Sequence, residues 1–61
     1  MKQIAIYPKD IMRITGKSER YSREILKKIK IDLNKEKHHI VTINEFCHYM
    51  KISLIEVEAF F

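Results

Sequence analysis

Tyr7-Pro8-Lys9-Asp10-Ile11-Met12-Arg13-Ile14-Thr15-Gly16-Lys17-Ser18 is the stretch on which the fold of this 61-residue chain turns. Proline is at home in the first turn of a helix, where its missing N–H has no partner to lose, so Pro8 marks a start. Asp10 then falls in the first turn, at the positive end of the helix dipole. Ile11, Met12 and Ile14 supply an apolar face. Gly16, the only glycine, predicts a stop at about Thr15, because a left-handed residue that closes a helix is most easily glycine. Ser18 is a good N-cap for a second helix directly after it.

That second helix is strongly patterned. With Ile25 at zero and about 100° per residue, Tyr21, Ile25, Leu26, Ile29 and Leu33 fall within a sector of about 140°. Ser22 lies in the middle of this sector, and a residue so small lets another helix approach closely. Arg20, Arg23, Lys27 and Lys30 form a basic stripe on the opposite side. Ile31 alternates with Ile29 and Leu33, so a strand from about residue 29 is the rival reading. A helix to about residue 33 accounts for more of the apolar positions.

Working outward, Gln3-Ile4-Ala5-Ile6-Tyr7 is β-branched and aromatic and stops at Pro8, which predicts a short strand. Residues 34–38 are polar and unperiodic, hence a loop, and His39-Ile40-Val41-Thr42 predicts a second strand. Thr42 and Glu45 have capping-box spacing, and Ile43, Phe46, Cys47 and Met50 give the core face of a third helix. Lys51-Ile52 turns the chain. Ser53 and Glu56 repeat the capping-box spacing and open a fourth helix. Leu54, Val57 and Phe61 mark one face of it, with Ile55, Ala59 and Phe60 beside them. So much apolar surface needs a partner: Leu54, Val57, Phe60 and Phe61 either close the core or make a dimer contact. The expected architecture is mainly α with a small β element, about four helices plus two short strands, in a single domain over 1–61. An offset of 35 residues aligns a basic unit, 3–33, with an acidic one, 38–61. This is either a pseudo-repeat or the coincidence of two helical hairpins.

Length and composition set the outer bounds. A chain of 7.4 kDa supports one small core, which leaves little room for a catalytic cleft, so no enzyme, cofactor or small-molecule substrate is expected. No apolar run approaches the ~20 residues of a membrane span. The lone cysteine, Cys47, excludes an intrachain disulfide and suggests a reducing compartment. The apolar stretch at the N-terminus is too short for a signal peptide, so a cytoplasmic location is expected. The net charge of +4 is unevenly spread. Residues 1–35 hold ten Lys/Arg against four acids, and residues 36–61 hold two against four. The first half therefore seeks an anionic surface, or else carries a solvated basic face for solubility.

Two helices joined by a tight glycine turn, the second basic on its outer side, describe a helix-turn-helix. Such a helix fits the major groove of double-stranded DNA with its N-terminal residues at the base edges. Those residues are Ser18, Glu19, Arg20 and Arg23, with Lys27 beyond them. Lys17, Lys28, Lys30 and Lys35 are placed for phosphates, which set affinity and register. A protein-interaction module, dimeric through Leu54–Phe61, is the second reading.

The segment Tyr7–Ser18, the basic helix carrying Ile25-Leu26 and Ile29, and Val41-Thr42-Ile43-Asn44-Glu45-Phe46 together resemble the excisionase and MerR-type winged-helix regulators. The similarity covers about residues 7–50. It implies a winged helix-turn-helix that binds DNA, as a transcriptional regulator or an excisionase-like accessory factor. By the same resemblance Ser18, Arg20, Arg23 and Lys27 would read bases, and Lys35, Lys37, His38 and His39 would be wing residues. The first wing strand is where this chain departs from the pattern, because Ile31-Asp32-Leu33 suits a helix better.

His38, His39, Cys47 and His48 invite a metal reading, but their spacing matches no zinc motif, and adjacent residues on a strand point to opposite faces. Cys47 lies on the apolar stripe of its helix and reads as a small buried hydrophobe. No metal is expected.

Overall fold

The computed structural model describes residues 3–61. It is mainly helical, with four helices: α1 (Pro8–Thr15), α2 (Glu19–Asp32), α3 (Ile43–Met50) and α4 (Leu54–Glu58).

α1 starts at Pro8 and is anchored by Asp10. The Asp10 carboxylate is buried and accepts hydrogen bonds from the Tyr7 amide (3.0 Å) and from Gln3 Nε2 (2.8 Å). An acid foreseen only as a dipole partner thus also ties residue 3 to the helix start. Gly16 closes α1 at φ 71°, its N–H donating to the Met12 carbonyl. Two residues later the Ser18 hydroxyl accepts from the Tyr21 amide at 3.1 Å and opens α2. The helical reading of residues 29–32 holds, and the rival strand does not form. Ser22, Ile25 and Ile29 are the buried residues of α2, which packs against α1. Ser22 is wholly buried, and its hydroxyl donates to the Ser18 carbonyl. Leu33 sits at the C-cap and is exposed, so the apolar sector is one residue shorter than its periodicity predicted.

The two predicted strands shrink to one antiparallel bridge, Ala5 with Thr42. It is flanked by Ile6 N–H to Val41 carbonyl and Ile43 N–H to Ile4 carbonyl, both 2.8 Å. The reason lies in the caps. Tyr7 is the N-cap of α1 and Thr42 the N-cap of α3, so both segments must leave extended pairing almost at once. His39 belongs to a turn, not a strand: its N–H donates to the Glu36 carbonyl at 3.0 Å.

The Thr42–Glu45 capping box forms in both directions, at 3.0 and 2.9 Å. The second box does not. Ser53 caps the Ile55 amide, while the Glu56 N–H is satisfied by the Ser53 carbonyl. α4 is therefore short, and the chain beyond it continues as a turn through Phe60 and Phe61. The core gathers Ile6, Ile11, Ile25, Ile29, Val41, Ile43, Phe46, Cys47 and Val57 from every element. Of the four C-terminal apolar residues, Val57 closes the core and Leu54 packs against it, whereas Phe60 and Phe61 stay 36% and 40% exposed.

The offset of 35 residues reappears in the element boundaries. α1 and α3 start at 8 and 43, and α2 and α4 start at 19 and 54. The residues after α1 and α3, Gly16 and Lys51, are both left-handed, and Ser18 and Ser53 are both N-caps.

Candidate nucleic-acid interface

The outer surface of α1, the Gly16 turn and α2 carries Lys9, Arg13, Lys17, Arg20, Arg23, Lys27 and Lys28, all exposed. Amphipathic packing puts them there: once Ile11, Ser22, Ile25 and Ile29 face the core, the long cationic side chains can only project outward.

The cations differ in what they touch. Arg20 Nε lies 3.7 Å from the Glu24 carboxylate, and Arg23 donates to Glu19 at 3.0 Å. Both are exposed i,i+4 pairs on α2, a class worth about 0.3–0.5 kcal/mol and easily exchanged for another anion. Lys9, Arg13, Lys17, Lys27 and Lys28 make no ion pair among the described residues. Ser18 is at the N-terminus of α2, but its hydroxyl is engaged as a cap.

Two of the expected phosphate ligands have intramolecular partners. Lys30 Nζ donates to the Lys37 carbonyl at 2.8 Å, which fastens the following loop to α2. Lys35 Nζ lies 3.1 Å from a Glu45 carboxylate oxygen, and both side chains are largely covered. The Thr42 amide, and then Lys35, hold the Glu45 carboxyl below the ordinary carboxylate range. Lys37, His38 and His39 remain exposed on the turn between these two ties. There they form no strand, so the segment expected to be a wing is a pinned loop.

Reasoning from the sequence missed Lys9 and Arg13. Their spacing of four, continued by Lys17, was a legible signal of a second basic line, on α1. It also missed the gathering of Glu36, His38 and His39, whose potential ligand atoms lie within 4.8 Å of one another. Cys47 is buried, and burial pushes its thiol pKa up, which leaves it an inert core residue. No helix among the described residues is long and apolar enough to cross a membrane.

Comparison with protein-family models, curated proteins and solved structures found no match to this chain.

Proposed function

We propose that this chain binds double-stranded DNA sequence-specifically, as a small transcriptional regulator or an excisionase-like accessory factor. The observation that carries the reading is the α1–α2 pair: two packed helices joined by a three-residue turn, with seven exposed cations on their outer surface. In this reading the pair is a helix-turn-helix, and α2 enters the major groove N-terminus first. Arg20 and Arg23 exchange Glu24 and Glu19 for base edges, each bidentate contact to guanine contributing ~1–3 kcal/mol of discrimination. Lys27 follows them along the same face, and Lys17 and Lys28 take phosphates.

The test is a salt titration of binding to random-sequence duplex DNA by fluorescence anisotropy. Each phosphate neutralised contributes a slope of about −0.9 in log K against log salt. The expected result is a slope of several units, lost in an Arg20→Glu/Arg23→Glu double variant. Affinity within twofold of the parent in that variant would remove α2 as the recognition helix.

A second reading rests on the exposed apolar residues at the C-terminal end, Ile55 at 79% and Phe60 and Phe61 at 36% and 40%. A protein-interaction or homodimer contact there would change in sedimentation when Ile55 becomes Glu, and would be indifferent to Arg20 and Arg23.

A further inference from the structure

We infer that Glu36, His38 and His39 form a divalent transition-metal site of the zinc class, on the loop between α2 and α3. The inference stands apart from the DNA reading.

The turn creates the site. The His39 N–H bond to the Glu36 carbonyl makes residues 36 and 39 the two ends of a β-turn, so their side chains rise together, with His38 beside them. The premise that adjacent histidines diverge holds for a strand and fails here. His38 Nδ1 lies 3.5 Å from Glu36 Oε2. The Glu36 amide donates to His39 Nδ1 at 3.3 Å. The two rings meet edge to face with centroids 4.6 Å apart.

These separations suit an ion. Around tetrahedral zinc, with bonds of about 2.0–2.2 Å, neighbouring ligand atoms stand about 3.3–3.6 Å apart. The His38–Glu36 distance already falls there, and the widest separation, up to 4.8 Å, must close by about 1 Å, which exposed side chains manage by rotation. A metal on His39 Nδ1 would displace only one long hydrogen bond. Two imidazoles and one carboxylate favour zinc, cobalt, nickel or copper over magnesium or calcium. Water would complete the coordination.

The loop is held in advance. Lys30 fastens the Lys37 carbonyl to α2, and Lys35 fastens the segment to Glu45 on α3. Ordering this turn around an ion therefore costs less than ordering a free loop. Lys30 and Lys37 oppose the incoming positive charge, while Glu45 already balances Lys35.

The experiment titrates Zn²⁺ into the full chain by calorimetry, with Co²⁺ as a spectroscopic probe and histidine ring resonances followed by NMR. The expected result is one ion per chain, with the rings of His38 and His39 shifting and that of His48 unmoved. In a His38→Ala/His39→Ala variant, whose exposed positions leave the helices intact by circular dichroism, affinity falls at least tenfold. Glu36→Gln weakens binding while keeping the turn. Absent binding, a double variant within twofold of the parent, or a thiolate-to-cobalt band revealing Cys47 as a ligand would each overturn the assignment.

Discussion

Lys35 Nζ meets Glu45 Oε2 at 3.1 Å while Glu45 Oε1 accepts the Thr42 amide at 2.9 Å, so one carboxylate both caps α3 and holds the preceding loop. Glu45→Ala removes both functions and should cost about 0.5–2 kcal/mol in urea denaturation, the range of a lost cap. Glu45→Gln keeps an acceptor for the cap and should lose less.

The same carboxylate gives a pH dependence of definite sign. Its folded pKa is lowered, so its contribution is present above the unfolded pKa and is lost as pH falls through the folded value. Denaturation midpoints of the parent should fall on acidification below the ordinary carboxylate range. Glu45→Gln should flatten that part of the fall, as measured by the difference between the two profiles.

Gly16 has φ 71°, and a Cβ added there would meet nothing within 4 Å. The loss in Gly16→Ala is therefore backbone strain alone, about 1–2 kcal/mol. Gly16→Asn should lose less, since asparagine tolerates the left-handed region. Thermal unfolding of the two variants, read side by side, checks the order.

Ser22 is wholly buried on the core-facing side of α2. Ser22→Leu adds volume where there is none to spare and should destabilise by about 1–3 kcal/mol. Ser22→Ala loses one hydrogen bond to the Ser18 carbonyl, about 1 kcal/mol.

Phe46 is the largest fully buried side chain. Phe46→Ala should cost about 3–5 kcal/mol. Total stability at about 0.05–0.15 kcal/mol per residue gives a chain of 61 residues about 3–9 kcal/mol, so the variant should lose a third or more of it, read by circular dichroism as a much lower denaturation midpoint. In it Cys47 should react rapidly with a thiol reagent, whereas the parent's buried thiol reacts slowly.

The helices were legible because their signals are local. Pro8, Gly16, Ser18 and the Thr42–Glu45 pair each act within one turn of chain, and each does in the structure what its chemistry predicted. The strands were less legible. β-propensity in residues 3–7 and 39–42 is real, but the caps at Tyr7 and Thr42 compete for the same backbone, and that competition shows only when both elements are placed. The basic surface of α2 was readable from periodicity. The ties that withdraw Lys30 and Lys35, and the turn that gathers Glu36, His38 and His39, depend on where a loop doubles back, which a polar, unperiodic segment does not encode in its pattern.

The Ala5–Thr42 bridge joins residues far apart in sequence, while the α1–α2 pair is built from near neighbours. Short-range contacts form first, because closing a long loop must precede any reward from it. The bridge then belongs to the downhill side of the folding barrier. Weakening it at Ala5 should hasten unfolding and leave the refolding rate nearly unchanged, whereas disturbing Ser22 should slow refolding itself. The lifetime of the native state should then respond to a two-bond seam, and the speed of its assembly to a helical hairpin.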